Sequence, residues 1–258
     1  MTMSQCRDLL TGRRRWSTVA GLIVAFVAAS WLIVVPQASA TPLCEPYGST
    51  GAGDYVVQNN RWGSSVAQCV EAIGAGFSLT QQGGTAPMGG APLSYPSIYA
   101  GCHYGNCSGT KVLPAVISRL GSLRSTVGVN YVGYGIYDAA YDVWLDPTAN
   151  KGGVNATEIM IWLHRQGPIQ PIGSMSGSVN LGGGTWEVWT GNNGQNDVVS
   201  YVAPGSLGSF DADLMEFIRD TIGRGKASPE WFVNSVQFGF EPWWGGSGLS
   251  VTGFSVSA

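Results

Sequence analysis

From about residue 54 onward the chain is made of short runs in which apolar and polar residues alternate, separated by Gly, Pro, Asn and Ser. A period of two is the signature of strands with one face buried. The pattern predicts strands over 54–61, 66–70, 77–81, 97–99, 127–134, 137–145, 157–163, 169–172, 176–181, 185–190, 198–202, 233–240 and 249–257. Turn signals such as Gln82-Gly83-Gly84, Gly182-Gly183-Gly184 and Asn192-Asn193-Gly194 fall between them. One segment changes period. Leu214, Phe217, Ile218 and Ile222 form a helical stripe that Ser209 or Asp211 can cap and that Gly223 and Gly225 stop. Many strands at this spacing, with one amphipathic helix, predict a single all-β sandwich or barrel with the helix packed on its outside.

The first forty residues fall outside that pattern. Arg13, Arg14 and Arg15 precede an apolar run from 19 to 35, and Ala38-Ser39-Ala40 offers a small-x-small cleavage site. This reads as an export signal cleaved after Ala40, giving a signal segment 1–40 and one domain over 41–258. The apolar run is at the short limit for an uncleaved anchor. The arginine cluster beside Trp16 hints at twin-arginine export, with the ordinary secretory route preferred.

Removal of residues 1–40 takes away four arginines and one aspartate from the chain's 13 basic and 16 acidic residues, leaving a net charge of −6. An acidic, charge-poor surface excludes nucleic acid and anionic membranes as natural partners, since both need a basic face. The 38 glycines, 10 tryptophans and 10 tyrosines suit an exported protein that handles neutral polymers. Without Cys6 the cysteines number four, and in an oxidising compartment an even count reads as disulfides. Three connectivities are possible, and the spacing favours Cys44–Cys69 and Cys102–Cys107. His103 beside Cys102 has no second Cys/His pair to complete a zinc site, so no metal is expected.

Two acids carry the candidate chemistry. In the strand over 157–163, Glu158, Met160 and Trp162 share one face, opposite Ile159, Ile161 and Leu163. In the strand leading to Trp243-Trp244, Gln237, Gly239 and Glu241 lie opposite Val236, Phe238 and Phe240. Burying each apolar set leaves the carboxylate on the other, open face. A carboxyl pair beside indole rings on the floor of a sheet fits a carbohydrate cleft, where rings stack a sugar and acids attack or protonate its linkage. Asp142 is the candidate for holding one glutamate through a hydrogen bond, while Asp138 and Asp146 on the same strand read as structural. Glu187 reads equally well as a third cleft acid or an exposed strand residue. Asn60 and Trp62, in Asn59-Asn60-Arg61-Trp62-Gly63, can stack on and hydrogen-bond a pyranose, or Trp62 can belong to the core. His103 and His164 are the only histidines, no nucleophile-elbow sequence accompanies them, and Gly182–Gly184 lacks the context of a phosphate loop.

Asn59-Asn60-Arg61-Trp62-Gly63, Tyr141-Asp142-Val143-Trp144-Leu145, Glu158-Ile159-Met160-Ile161-Trp162, Pro171-Ile172-Gly173 and Gly239-Phe240-Glu241-Pro242-Trp243 follow in an order that resembles glycoside hydrolase family 12. The likeness runs from about Cys44 to the C-terminus and is strongest to actinobacterial secreted endo-β-1,4-glucanases, or cellulases. It implies a β-jelly roll of two antiparallel sheets, concanavalin-like, with one α-helix on the convex face and an open concave cleft. It further implies a retaining reaction on β-glucan with no cofactor, Glu158 as nucleophile, Glu241 as acid/base and Asp142 as the residue steadying Glu158. Asn60 and Trp62 become glycone-side contacts, Met160 and Trp162 cleft-floor residues, and the two disulfides gain support. One departure is Trp244, where related sequences carry a polar or acidic residue, which leaves subsite preference open. Xyloglucan or mixed-linkage glucan is the alternative substrate, a glycan-binding lectin-like sandwich the alternative class, and a family 11-like xylanase fits the Glu158 strand less well. No separate cellulose-binding module is visible. The expected mature protein is a secreted monomer without stable membrane association.

Overall fold

The computed structural model describes residues 41–149 and 152–258; the expected signal segment and Cys6 lie outside them. In chain order the first strands are β1 (Ser49–Ala52), β2 (Tyr55–Gln58), β3 (Gln68–Ala72), β4 (Phe77–Gln82), β5 (Ser97–His103), β6 (Asn106–Cys107), β7 (Ala115–Val116) and β8 (Arg124–Asn130). There follow β9 (Ile136–Asp146), β10 (Thr157–Gln166), β11 (Ser174–Leu181), β12 (Gly184–Asn192), β13 (Asp197–Val202), β14 (Ser209–Asp213), the helix α1 (Met215–Gly223), β15 (Phe232–Trp244) and β16 (Ser250–Ser257). The larger sheet runs β1-β2-β5-β15-β9-β10-β13-β12-β11, with β6 on β5 and β7 on β15; the smaller runs β14-β8-β16-β4-β3. All pairings are antiparallel except β10 with β13. This is the expected two-sheet jelly roll, with one parallel pair that the alternation did not predict.

The core lies between the sheets. Tyr141, Val143, Ile159, Ile161, Leu163, Val236, Phe238 and Phe240 all point into it, as the period-two reading requires. The helix sits on the convex face of the larger sheet. Its Phe217 packs edge-on against Trp186 and Tyr201 at ring separations of 5.3 and 5.1 Å, each such pair adding about 0.5–1.5 kcal/mol beyond area burial. The predicted cap is corrected: 209–213 is a strand, and Asp213 Oδ1 accepts the Met215 N–H at 3.0 Å. The predicted strand over 169–172 is a loop that covers the sheet instead.

Curvature of the larger sheet comes from irregularities in its central strands, at Val233/Ser235 and Pro242/Trp244 on β15 and at Trp162/His164 on β10. An extra residue in one strand bends it and strengthens the local twist. Gly239 lies where β15 passes under the loop before β5; a Cβ there would stand 2.3 Å from the Pro96 carbonyl oxygen. Both disulfides form in the connectivity that the spacing favours, Cys44–Cys69 and Cys102–Cys107.

Candidate active site

Strand β9 is the axis of the site, flanked by β15 on one side and β10 on the other. Alternation puts Asp138, Ala140, Asp142 and Trp144 on its concave face, because Tyr137, Ala139, Tyr141, Val143 and Leu145 take the core. On β10 the opposing residues are Glu158 at Trp144, Met160 at Asp142 and Trp162 at Ala140. On β15 they are Gln237 at Asp142, Gly239 at Ala140 and Glu241 at Asp138. The two glutamates, 83 positions apart, thus come from the two neighbours of one strand, and each has an aspartate of that strand beside it.

Glu158 is 9% exposed. Asn196 Nδ2 donates to its Oε2 at 3.5 Å, and Asp142 hydrogen-bonds the same carboxyl. Glu241 is half-buried and hydrogen-bonds Asp138. Burial is the first cause of the upward shift of both glutamates, and the Glu241 charge adds to it at Glu158. Asp142 and Asp138 are likewise pushed well above the usual carboxylate range, again by burial first and by the neighbouring glutamates next. Four carboxyls this close in a dry patch cannot all ionise. Two donors converge on Glu158, from Asn196 and Asp142, and both favour its carboxylate; one reaches Glu241. Donor count favours the carboxylate at Glu158, whereas burial and the Glu241 charge work against it, raising Glu158 to about 8 while burial raises Glu241 to about 7. The hydrogen-bond geometry alone sets the two apart in the sense of one ionised and one protonated group.

Asn196 and Tyr95 belong to this site although the sequence reading missed them. Asn196 sits in the turn entering β13, where its Nδ2 also donates to the Asp197 carbonyl at 3.1 Å. The Tyr95 hydroxyl, 3.0 Å from the Ala140 carbonyl, lies against Asp142. Burial, then the charges of Asp142, Glu241, Asp138 and Glu158, keeps this phenol protonated. The only signal for either residue is its position in a loop before a strand, which does not distinguish them from many others.

Beside the carboxyls lies a floor of amides. Gln237 Oε1 accepts from Gln58 Nε2 at 3.0 Å and from Ser97 Oγ at 3.3 Å, and its Nε2 is hydrogen-bonded to Ser235 and His103 Nδ1. Burial lowers His103 to about 4, so it is a neutral ring. Asn59, fully buried, donates to the carbonyls of Glu45 and Gln68 and fixes the loop leaving β2. That loop carries Asn60, held at a positive φ of 40°, and Trp62, 45% exposed. Trp62 is therefore free to stack and is no core residue.

Met160 and Trp162 are on the concave face as expected, but neither is an open platform. They are 6% and 2% exposed beneath Ala86, Leu93, Ile169 and Trp243, which come from loops and from the end of β15. Loop cover, invisible to local alternation, closes this part of the face. Glu187 lies on the concave side with the Trp189 Nε1 donating to it at 3.4 Å, away from the carboxyl cluster. Asp146 caps a turn by accepting the N–H groups of Thr148 and Ala156. Asp138, expected to be structural, instead faces Glu241. Among the described residues no group of three or more His, Cys, Asp and Glu side chains has the arrangement of a metal site.

Residues 53–258 match the family model for Glycosyl hydrolase family 12. A probable cellulase Cel12b of Mycobacterium tuberculosis is 38% identical over 144 residues, covering 56% of this chain and 95% of that protein. A xyloglucan-specific endo-β-1,4-glucanase A of Emericella nidulans is 33% identical over 223 residues, covering 83% and 90%. Among solved structures, the native structure of the cellulase endo-1,4-β-glucanase CelB2 superposes with a TM-score of 0.83 at 53% identity, covering 84% of this chain and 98% of that one.

Proposed function

The chain belongs to glycosyl hydrolase family 12, and from that premise we propose that it is a secreted, monomeric endo-β-1,4-glucanase acting with retention. Glu158 is the nucleophile, Glu241 the acid/base and Asp142 the residue that steadies Glu158. The observation that carries the assignment is the position of two carboxyls on the strands that flank β9, facing the same side, with donors gathered on Glu158.

In the first half-reaction a Glu158 oxygen bonds to the anomeric carbon as the glycosidic C–O bond breaks, and Glu241 gives its proton to the departing oxygen. In the second, Glu241, now a carboxylate, takes a proton from water, whose oxygen displaces Glu158 from the anomeric carbon. The chemistry needs an ionised nucleophile beside a protonated acid, which is the distribution that the donor pattern favours. Asn60 and Trp62 bind the sugar on the glycone side. Two disulfides fit an oxidising compartment, in keeping with export and cleavage after Ala40; N-terminal sequencing of exported protein tests that cleavage.

Glu158→Gln or Glu241→Gln is expected to remove nearly all release of reducing sugar from carboxymethylcellulose while leaving the folded spectrum intact. Substantial turnover by either variant sinks the assignment. A xyloglucan substrate is the second reading, favoured by the coverage of the fungal xyloglucan-specific relative. Rates on carboxymethylcellulose, lichenan, xyloglucan and xylan decide between them, and glycan binding without hydrolysis would restore a lectin-like role.

A further inference from the structure

Asp138 has no counterpart in the reaction described above. It lies on β9 directly opposite Glu241 and has no solvent exposure. Among the described residues neither of its oxygens has a hydrogen-bond partner of ordinary geometry, and the polar group set against it is the Glu241 carboxyl, the strongest electrostatic neighbour of Asp138. Two carboxyls can share a hydrogen bond only while one of them carries a proton. The more deeply buried one holds it, because charge costs more where water is excluded.

Resting on the reading of Glu241 as acid/base, we propose that Asp138 is a positioning residue that keeps its own proton and donates a hydrogen bond to Glu241 throughout the reaction. The O–H of Asp138 fixes one oxygen of Glu241, leaving the other to face the scissile linkage. When Glu241 gives up its proton, the same O–H stabilises the new carboxylate; when Glu241 takes a proton from water, Asp138 is unchanged. No net proton leaves Asp138 in either half.

The surrounding groups agree with a neutral aspartate. Asp142, four positions along the same face of β9, and Glu241 on β15 both oppose its ionisation. Glu158 on β10 and Tyr95 in the loop before β5 add no positive charge. Arg165, opposite Asp138 on β10, is exposed, and its guanidinium donates to the Ile169 carbonyl at 3.5 Å.

The test compares Asp138→Asn, a neutral donor of the same shape, with Asp138→Ala, which donates nothing. The asparagine variant is expected to keep kcat on carboxymethylcellulose within about tenfold of the parent. The alanine variant should lose about 10–100-fold in kcat with little change in KM, as expected for loss of a partner that orients a working group. Its alkaline limb should move to higher pH, since the Glu241 carboxylate has lost its donor. Equal damage in both variants, or an alanine profile with an unmoved limb, overturns the proposal. Should the alanine variant not fold, infrared difference spectra of wild type against Asp138→Asn decide: a protonated-carboxyl band at pH 7 that the asparagine lacks is expected, and its absence refutes. Glu241→Gln is assayed in parallel. If that variant remains active the assignment of Glu241 fails, whereas an inactive Glu241→Gln beside two equally impaired Asp138 variants defeats this inference alone.

Discussion

Replacing Glu158 by glutamine should stabilise the protein above neutral pH while abolishing its activity. Glu158 titrates from an ordinary 4.5 up to about 8 in the folded chain, chiefly through burial and then through Glu241. The folded state therefore holds this proton more tightly than the unfolded one. Below about pH 4.5 both states are protonated and stability is complete. It falls as pH rises towards 8, and above that the loss is full. At about 1.4 kcal/mol per unit, the ceiling is on the order of 5 kcal/mol. The charge relieved is shared with Glu241, and the amide gives up an acceptor worth about 1 kcal/mol. A net gain of about 1–3 kcal/mol at pH 8.5 is the working figure, raising Tm by roughly 2–12 °C for a domain of this size. Calorimetric scans of wild type and Glu158→Gln between pH 4 and 9 measure it. The two Tm curves should meet near pH 4 and diverge as pH rises. Parallel curves, or a wild type that gains on the variant in alkali, would refute the claim that the carboxylate is held ionised against its surroundings.

The disulfides should differ in value. Breaking Cys44–Cys69, which spans 25 positions, is expected to cost about 3.5 kcal/mol, and Cys102–Cys107, spanning 5, about 2 kcal/mol. Paired Cys→Ala variants followed by thermal unfolding should rank in that order, and a larger loss from the short loop would contradict it. Trp62→Ala should raise KM on soluble cellulose by about 2–10-fold at nearly constant kcat, the worth of one stacked ring; an unchanged KM would remove Trp62 from the binding surface.

The legible part of this fold and site is the part that alternation controls. Glu158 and Glu241 could be placed opposite the core because Ile159, Ile161, Phe238 and Phe240 leave them no other face. Asn60 and Trp62 emerged on an exposed loop, as a motif of amides around an indole suggested. What stayed hidden depends on register between strands far apart in the chain. Alternation alone does not separate Asp138 from Asp142 along β9, both polar and both on one face; the family resemblance singled out Asp142, and the role of Asp138 beside Glu241 stayed hidden. Only the pairing of β15 assigns the first to Glu241, and only the pairing of β10 brings the second to Glu158. Asn196 reaches Glu158 across the parallel β10–β13 pair, which alternation cannot foresee. Likewise, the burial of Met160 and Trp162 is decided by Leu93, Ile169 and Trp243, of which Leu93 and Trp243 are remote in sequence and Ile169 lies in a loop that alternation misread as a strand.

If Glu158 is the nucleophile and Glu241 the acid/base, the same geometry gives a reason for two aspartates on this strand rather than one. A general acid and a nucleophile in one dry patch make opposite demands: one must keep a proton at a pH where the other has lost it. Distance alone cannot separate two glutamates that must touch a single linkage. Strand β9 separates them by giving each its own neighbour, four positions apart on one face, so that each carboxyl answers to a different buried acid. The asymmetry then arises from what else is near. On the proposed assignment Glu158, with Asn196 as a second donor, takes the charge, whereas Glu241, without a second donor, retains its proton. On this view Asn196→Ala weakens the distinction between the two glutamates as well as one hydrogen bond, and its effect belongs on the acid limb of the rate profile, where Glu158 ionises.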